Sequence, residues 1–571
     1  MQEKSGKSSA KSTALFVAAI IAVLVLRQVL FADLPIYVRG SRTDDQLMMN
    51  MAAGLIGGNW LGDYAACTLM KGSFYPMFVA AIHTLGLPYI ASLTALHSLA
   101  CIFFVSQLRY LVRNRWLLLV LLAVLLFDPG TLACRSFQAV YRNALSAIQV
   151  LFMFGAVFGL WLDYGTSRIK DVARALLVGV VAWSFWNTRE DAMWALPFLV
   201  VGLILVAAKA IGEFRSGHSA KRLVAGIVIV ALPFAMMGVG NACIKHFNEE
   251  HYGAAIRLEG SDGVFAETLR TIYSVEDPQS YEKVSVSTDK IALLYEVSPA
   301  LRSIKPALDE QMAYYSHSGR FQDRGEVEDG WFLWALRYAA FDAGVATTLP
   351  DSQAFYGQVR DEIEAALDAG TLRRRPTMPS ALMSPWREGY AEKMLQTIPK
   401  ALSDTVKFTT VKVVAAEDRE IPEVVLAYSE EIVGGTAIRM DDTSSEAAHR
   451  AAVSAERANA VIGVYQMLNP VVAIIAFAGF VIFVAICAVR KRSGHIAFIL
   501  VLLGMALSVM VMLVGISYTH ITAFSAIRHD YLCGAYPLVL AIIWLTLLYC
   551  MEETLRGRAQ SRAHDSDALP Q

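Results

Sequence analysis

Charged residues are scarce in this chain of 571 residues. They make up 18% of the sequence, while hydrophobic residues make up 55% and the mean hydropathy is +0.44. Soluble globular domains carry about 25% charged residues, so the composition excludes an ordinary soluble enzyme and also a disordered chain. An excess of one charge is missing as well, because the formal net charge is −1. This balance excludes a strongly basic nucleic-acid-binding protein, and we expect no nucleic acid among the partners.

Cysteine and the common catalytic signatures are also scarce or missing. The seven cysteines form no CxxC pair, and most lie in or beside apolar runs, where cysteine behaves as a small hydrophobic residue. The sequence contains no GxxxxGK[ST], no HExxH, no GxSxG and no GxGxxG after a strand. Nucleotide binding and hydrolytic chemistry are therefore not indicated by any of these motifs.

Long apolar runs dominate the sequence instead. A membrane-spanning helix needs about 20 mostly apolar residues. Eight runs clearly meet this requirement, and two shorter runs, 112–127 and 175–187, bring the expected number of spans to about ten. The run 74–88 is short and contains two prolines, so we interpret it as a helix at the outer membrane surface. The sequence predicts an all-α, polytopic membrane protein. The eight clear runs are 13–33, 90–108, 144–162, 192–211, 222–240, 466–489, 496–517 and 531–551.

Lysine and arginine in the short loops predict the orientation of the chain. With ten spans, the loops on one side of the membrane hold 19 basic residues and those on the other side hold 7. Basic residues accumulate on the cytoplasmic side, so we expect both termini in the cytoplasm. The long polar region between spans 7 and 8 then lies outside it.

This arrangement divides the chain into four parts. The near-zero net charge is the sum of two opposite charges, because residues 241–465 contain 23 basic and 35 acidic residues, whereas the remaining residues contain 27 and 16. The sequence predicts a mainly helical extracytoplasmic domain. Only in residues 405–416 do apolar and polar residues alternate as in a strand. The parts are a transmembrane module of spans 1–7 with outer loops 34–89 and 186–194 (1–240), the extracytoplasmic domain (241–465), spans 8–10 (466–555) and a disordered cytoplasmic tail (556–571).

An acidic pair follows the first span, in TDDQLMMNMAAGLIGG. Asp44 and Asp45 open a predicted helix that Gly57 ends, and acidic residues complement a helix N-terminus. The alternative is functional, because a carboxylate at the membrane surface can act as a general base or a metal ligand.

A second charged group lies in WNTREDAMW, between two spans. Arg189, Glu190 and Asp191 are consecutive there, and the flanking tryptophans favour a turn at the membrane interface. The group is either a solvated turn with an internal ion pair or part of a site. Four further basic residues on the same side can bind a lipid phosphate group. Alternatively, they occupy ordinary positions at the membrane interface. These are Lys71, Arg135, Arg142 and Arg528.

The order of these features resembles the first outer loop of the GT-C glycosyltransferase superfamily. The closer likeness is to the branch of protein O-mannosyltransferases and lipid A aminoarabinose transferases. The matching features are the acidic pair Asp44-Asp45, the turn Asn59-Trp60, and Lys71-Gly72 with Tyr75-Pro76 at a helix start.

This resemblance implies a glycosyltransferase of the bacterial cytoplasmic (inner) membrane. It would transfer a sugar from a polyprenyl-phosphate donor to a glycan, lipid or protein acceptor outside the cytoplasm. The resemblance makes Asp44 or Asp45 the base, gives Glu190 and Asp191 a supporting role, and leaves a divalent cation, Mg or Mn, open. The alternatives are a lipid or glycan transporter and a non-enzymatic protein of envelope assembly. The cations that would hold the carrier phosphate are Lys71, Arg135, Arg142, Arg189 and Arg528.

Overall fold

The fold is entirely helical in the part of the chain that the structure, a computed structural model, describes: residues 2–279, 281–317, 325–375, 384–489 and 494–567. Only isolated β-bridges interrupt this pattern there. The helices up to the predicted domain boundary are α1 (Gln2–Phe31), α2 (Asp45–Ile56), α3 (Phe74–Thr84), α4 (Tyr89–Gln107), α5 (Arg115–Leu126), α6 (Asn143–Leu162), α7 (Arg168–Trp186), α8 (Leu196–Arg215) and α9 (Ala220–Tyr252).

The remaining helices form the polar region and the C-terminal spans. The polar region contains α10 (Glu259–Asp262), α11 (Val264–Ser274), α12 (Thr288–Val297), α13 (Pro299–Ser303), α14 (Lys305–His317), α15 (Phe332–Asp342), α16 (Leu349–Asp368), α17 (Tyr390–Lys407) and α18 (Glu423–Val433). The C-terminal helices are α19 (Glu446–Val489), α20 (Ile496–Thr522), α21 (His529–Leu532) and α22 (Tyr536–Asp567).

Eight helices in the described residues are long and apolar enough to cross a membrane, and they coincide with the eight clear runs. A helical membrane protein, as the sequence predicts, is therefore supported. The helix α3 is too short to cross and packs between α2 and α18. Three of the basic loop residues used for the orientation, Arg490, Lys491 and Arg492, lie outside the described residues.

The two shorter runs form helices that pack lengthwise against neighbouring helices. Before α5, the backbone N–H of Asn114 donates to Glu552 of α22, and beyond α5, Gly130 packs against Tyr536 at the start of α22. The segment therefore follows α22 for 16 residues, about 24 Å. The helix α7 runs antiparallel to α6 in the same way and contacts it at both ends.

Two predicted boundaries fall inside continuous helices. The helix α9 crosses position 240 and α19 crosses position 465, so the polar region is joined to the spans by helical extensions rather than by loops. The helix α22 continues to Asp567, into the segment predicted to be a disordered tail. Residues 568–571 of the tail lie outside the described residues.

The strand predicted at 405–416 is also wrong. Val411 and Val413 are buried, which explains the alternation of the sequence. No strand pairs with the segment in the described part of the chain, because single groups from other elements satisfy its backbone. Lys412 O accepts from the backbone N–H of Cys134 (2.9 Å), and the N–H of Val413 donates to Asn459 (3.0 Å).

The predicted, mainly helical character of the polar region is confirmed in the described residues. The helix α16 buries Phe355, Val359, Ile363 and Leu367 along one face. A single hydrophobic core extends from the spans into this region, so the loops of the spans and the helices of the polar region form one packed unit at that end of the bundle.

Candidate active site

The candidate site lies where the loops that follow α1, α2, α5, α7 and α20 meet. We call this the site end of the bundle. The close approach depends on Gly72, where a Cβ atom would lie 2.0 Å from Asn187 O. The backbone N–H of Phe74 donates to the same oxygen (3.0 Å). The absence of a side chain at Gly72 thus places Lys71 directly beside the loop that carries Glu190.

Asp44 is the carboxylate at the centre of the site. Its Oδ1 forms an ion pair with Lys71 Nζ and accepts from Tyr141 OH (3.1 Å), and its Oδ2 lies 3.2 Å from Arg39 Nη1. Burial would raise the pKa of this carboxyl group, but Lys71 and Arg39 outweigh burial and hold it well below its ordinary range. Asp44 is the N-cap residue of α2, yet its side chain makes no capping hydrogen bond; it faces the cations instead.

Asp45 has a different role from its neighbour. Its carboxylate is buried and accepts three backbone N–H groups, from Arg39 (2.6 Å), Gly40 (2.9 Å) and Ser41 (2.8 Å). A carboxylate whose lone pairs are used in this way fixes the loop and is poorly placed to take a proton from a substrate. The geometry therefore distinguishes the two members of the acidic pair: Asp45 holds the loop, and Asp44 faces the cations.

The hydroxyl group of Tyr141 connects the two acidic loops. It accepts from Lys71 Nζ (2.8 Å) and Arg142 Nε (3.0 Å) and donates to Asp44. Arg142 in turn forms an ion pair with Glu190 and donates to Thr188 O (3.3 Å). A continuous chain of charge-assisted hydrogen bonds thus joins Asp44 to Glu190.

Arg189 and Asp191 form a separate pair beside this chain. The guanidinium donates from Nε and Nη2 to the two carboxylate oxygens at 2.7 and 2.6 Å. Arg189 also donates to Asn143 (2.5 Å) and is buried, whereas the side chain of Asp191 is 46% exposed. Asp191 therefore lies at the rim of the site rather than at its centre.

Arg528 and Arg135 lie on neighbouring segments of the same end. Arg528 binds Asp530 at 3.2 and 3.0 Å, and the charge of Asp530 also favours the charged form of Arg39. The N–H of Arg135 donates to His529 Nε2 (3.2 Å); burial lowers the pKa of this histidine to about 4, so the ring accepts as the neutral form. The guanidinium of Arg135 has no ion-pair partner among the described residues.

Aromatic residues of α15 cover the site from the polar region. The ring of Trp334 lies 5.6 Å from Lys71 Nζ, and the ring of Tyr338 lies 4.5 Å from the guanidinium of Arg42. A buried ion pair between Arg337 and Glu259 (2.8 Å) anchors this helix. The arrangement places cations between a carboxylate and aromatic faces, which is favourable where water is excluded.

Three of the groups that complete the site are not among the residues predicted for it. Arg39 is one of the seven basic residues in the short loops of this side, Tyr141 directly precedes Arg142, and Trp334 lies 290 residues beyond Asp44. The adjacency of Tyr141 to Arg142 was the only local signal, because contacts between distant loops leave no periodic pattern.

A divalent cation does not fit the side chains as they stand. No group of three or more His, Cys, Asp and Glu side chains comes together within the described residues. Asp44, Glu190 and Asp191 are each engaged by an arginine or a lysine. All seven cysteines are free thiols, so none of them closes a loop of the site.

Comparison with known proteins gives no relative for this chain. No family model matches it, and neither a curated protein nor a solved structure does.

Proposed function

We propose that this chain is a membrane glycosyltransferase of the GT-C type. It would transfer a sugar from a polyprenyl-phosphate-linked donor to a glycan, lipid or protein acceptor of the bacterial cell envelope. The observation that carries the proposal is the Asp44 carboxylate, which contacts Lys71 and Arg39 and is linked through Tyr141 and Arg142 to Glu190.

In this proposal Asp44 takes the proton of the acceptor hydroxyl or amine as the acceptor attacks the anomeric carbon. The bond between that carbon and the phosphate oxygen breaks, and the polyprenyl phosphate leaves with the bonding electron pair. Lys71, Arg39 and Arg142 stabilise the negative charge that develops on the phosphate. A phosphate leaving group needs no proton, so one carboxylate and several cations are sufficient for the reaction.

Donor binding would also activate the base. In the free protein the two cations make Asp44 a weak base, because they stabilise its ionised form. A phosphate that binds the same cations shares their charge, and the pKa of Asp44 then rises towards its ordinary range. The base would thus gain strength only when the donor is in place.

We propose the orientation that the basic loops indicate, with ten spans, both termini in the cytoplasm and the site end outside. The lengthwise packing of segment 114–130 on α22 and of α7 on α6 supports ten rather than eight. A membrane-impermeant maleimide should label Ala369→Cys in intact cells and Ala220→Cys only in permeabilised cells, with exposed Cys243 replaced by serine. The reverse labelling pattern would overturn the orientation.

The activity itself is tested with the purified, reconstituted chain and a panel of polyprenyl-phosphate sugars. The expected result is release of polyprenyl phosphate together with transfer of the sugar to an envelope acceptor. Donor release that persists unchanged in Lys71→Ala would contradict the role of the cations.

A transporter is the second candidate, and Arg27 favours it. This residue lies in α1 and is 1% exposed. Its guanidinium lies 5.9 Å from the ring of Phe137, and none of its nitrogens is hydrogen-bonded within the described residues. Buried ionisable residues within spans often line a transport path. Loss of lipid or glycan flux in Arg27→Met, with sugar transfer absent from the wild type, would favour this candidate.

A further inference from the structure

The helix α17 carries more apolar surface than its protein contacts cover. Tyr390 and Met394 pack on Tyr518 and Ile521 of α20. Leu395 and Leu402 lie one step around the helix from this buried face and remain 76% and 39% exposed.

The polar side of α17 points the other way. Lys393, Lys400 and Lys407 recur every seven residues, so they form one stripe. Lys393 binds Glu282 of the polar region at 3.1 Å. The exposed leucines are on the flank opposite this stripe, away from the contact with Glu282.

The position of α17 along the spans indicates what covers the leucines. Near its C-terminal end, Asn469 of α19 donates to Val406 O (2.8 Å), and Gln466 donates to Phe408 O (2.9 Å). Directly after these two polar residues, α19 enters the uninterrupted apolar run 470–489. The end of α17 is thus at the depth where the hydrocarbon-facing surface of the spans begins.

The surface of the neighbouring spans continues the leucine flank. On α19, Met467, Leu468 and Val471 are exposed at the same level. On α20, Tyr518 is stacked by Trp386, which precedes α17 and is itself exposed (ring centroids 5.9 Å apart, planes 9° apart). Tryptophan is enriched at the boundary between water and lipid.

We propose that α17 lies in the membrane interface and binds the lipid of the site-end leaflet through Leu395 and Leu402. The occupant is lipid rather than a protein partner, because the exposed flank is continuous with the apolar belt of the spans. The lysine stripe keeps the opposite side of the helix in water and against the polar region, as in other interfacial amphipathic helices. The helix would hold the polar region at a fixed height above the bilayer. This inference does not depend on the glycosyltransferase proposal.

Environment-sensitive fluorescence on the full chain tests the proposal. The chain, with Cys243, Cys487 and Cys550 replaced, is reconstituted into vesicles of phosphatidylcholine and phosphatidylglycerol. An NBD probe is attached at Leu395→Cys or Leu402→Cys. The matched controls are Gln396→Cys and Ser403→Cys, each one residue further along the same helix and on its polar side.

We expect blue-shifted NBD emission and quenching by shallow spin-labelled lipids at 395 and 402, with loss of quenching by aqueous iodide. The probes at 396 and 403 should show iodide quenching and little lipid quenching. Iodide quenching at 395 and 402 equal to that of the controls would overturn the proposal. Quenching by neither agent would also overturn it, since a protein partner would then cover the flank. Ala391→Cys, exposed on the same flank, repeats the measurement if either leucine variant fails to fold.

Discussion

Both ends of the helical bundle hold paired charges, but they are assembled differently. At the end opposite the site, Arg174 binds Asp163 at 2.9 Å and Arg168 binds Glu213 at 2.9 Å. These pairs join neighbouring helices of the sequence. At the site end, ion pairs join loops that are separated by whole helices: Lys71 binds Asp44 across α2, and Arg142 binds Glu190 across α6 and α7.

The two ends also differ in whether their charged side chains remain able to bind a ligand. Arg174 and Asp163 satisfy each other, with Tyr110 beside them (3.4 Å). At the site end, three cationic side chains surround the single carboxylate of Asp44, and Arg135 stays without an ion-pair partner among the described residues. Matched local pairs suit a structural role, whereas convergent and partly unmatched cations suit an anionic ligand. The comparison predicts that substitutions at the two ends have different consequences.

The largest effect is expected from Asp44→Asn. The amide cannot accept the acceptor's proton as a base, so sugar transfer per folded molecule should fall about 10³-fold. The thermal unfolding temperature should fall as well, because Lys71 and Arg39 lose the carboxylate with which they pair. The measurement is the rate of polyprenyl phosphate release by the reconstituted protein.

The matched control for this variant is Asp163→Asn at the opposite end. It removes a paired carboxylate of similar burial and should leave transfer per folded molecule unchanged. Equal losses of transfer in both variants would remove the distinction between the two ends.

The next effect concerns stability. Arg174→Ala leaves Asp163 as an unpaired, largely buried carboxylate, and the free energy of unfolding should fall by about 2 kcal/mol. The activity of the remaining folded protein should stay at the wild-type level. Thermal unfolding in detergent, followed by the activity of the folded fraction, measures both quantities; lost activity without lost stability would mean that this end also belongs to the site.

Tyr141→Phe should reduce transfer about tenfold, because Lys71 and Arg142 each lose a hydrogen-bond acceptor and Asp44 loses a donor. The kcat should fall more than KM rises if the hydroxyl orients the base. The control is Tyr110→Phe, whose hydroxyl contacts Arg174 at the opposite end. If the two variants behave alike, the hydroxyl of Tyr141 has no special place in the reaction.

The same comparison explains how much could be predicted from the sequence. Spans were predictable because apolar length is a local property. The order of the motifs selected Asp44 and Lys71 as candidate site residues, but their ion pair was not predicted. The different roles of Asp44 and Asp45 were not predictable, since they depend on which backbone N–H groups the loop directs at each carboxylate. The part played by Tyr141 depends on contacts between loops that are far apart in sequence. The strand prediction at 405–416 was wrong because the alternation of apolar residues there reflects which side chains are buried, and not pairing with another strand.

The smallest effect concerns the support of the site loop by Glu417. Its Oε1 accepts the backbone N–H of Val38 (2.7 Å), and burial raises the pKa of this carboxyl group to about 8. The folded protein therefore keeps a proton that the unfolded chain loses near its ordinary pKa, and this contribution to stability disappears as the pH rises through 8. Between pH 7 and 9 the free energy of unfolding should fall by about 1.4 kcal/mol.

Glu417→Gln should abolish this part of the pH dependence, since the amide stays neutral and can still accept the N–H of Val38. The exposed Glu423→Gln is the control and should retain the wild-type slope. The measurement is the unfolding temperature of the wild type and the two variants between pH 7 and 9. The same dependence on pH in all three proteins would show that Glu417 is ionised in the folded state. Because the opposite end of the bundle has no part in this loop, Arg174→Ala should lower stability by the same amount at every pH in the range, which separates the two ends by a second measurement.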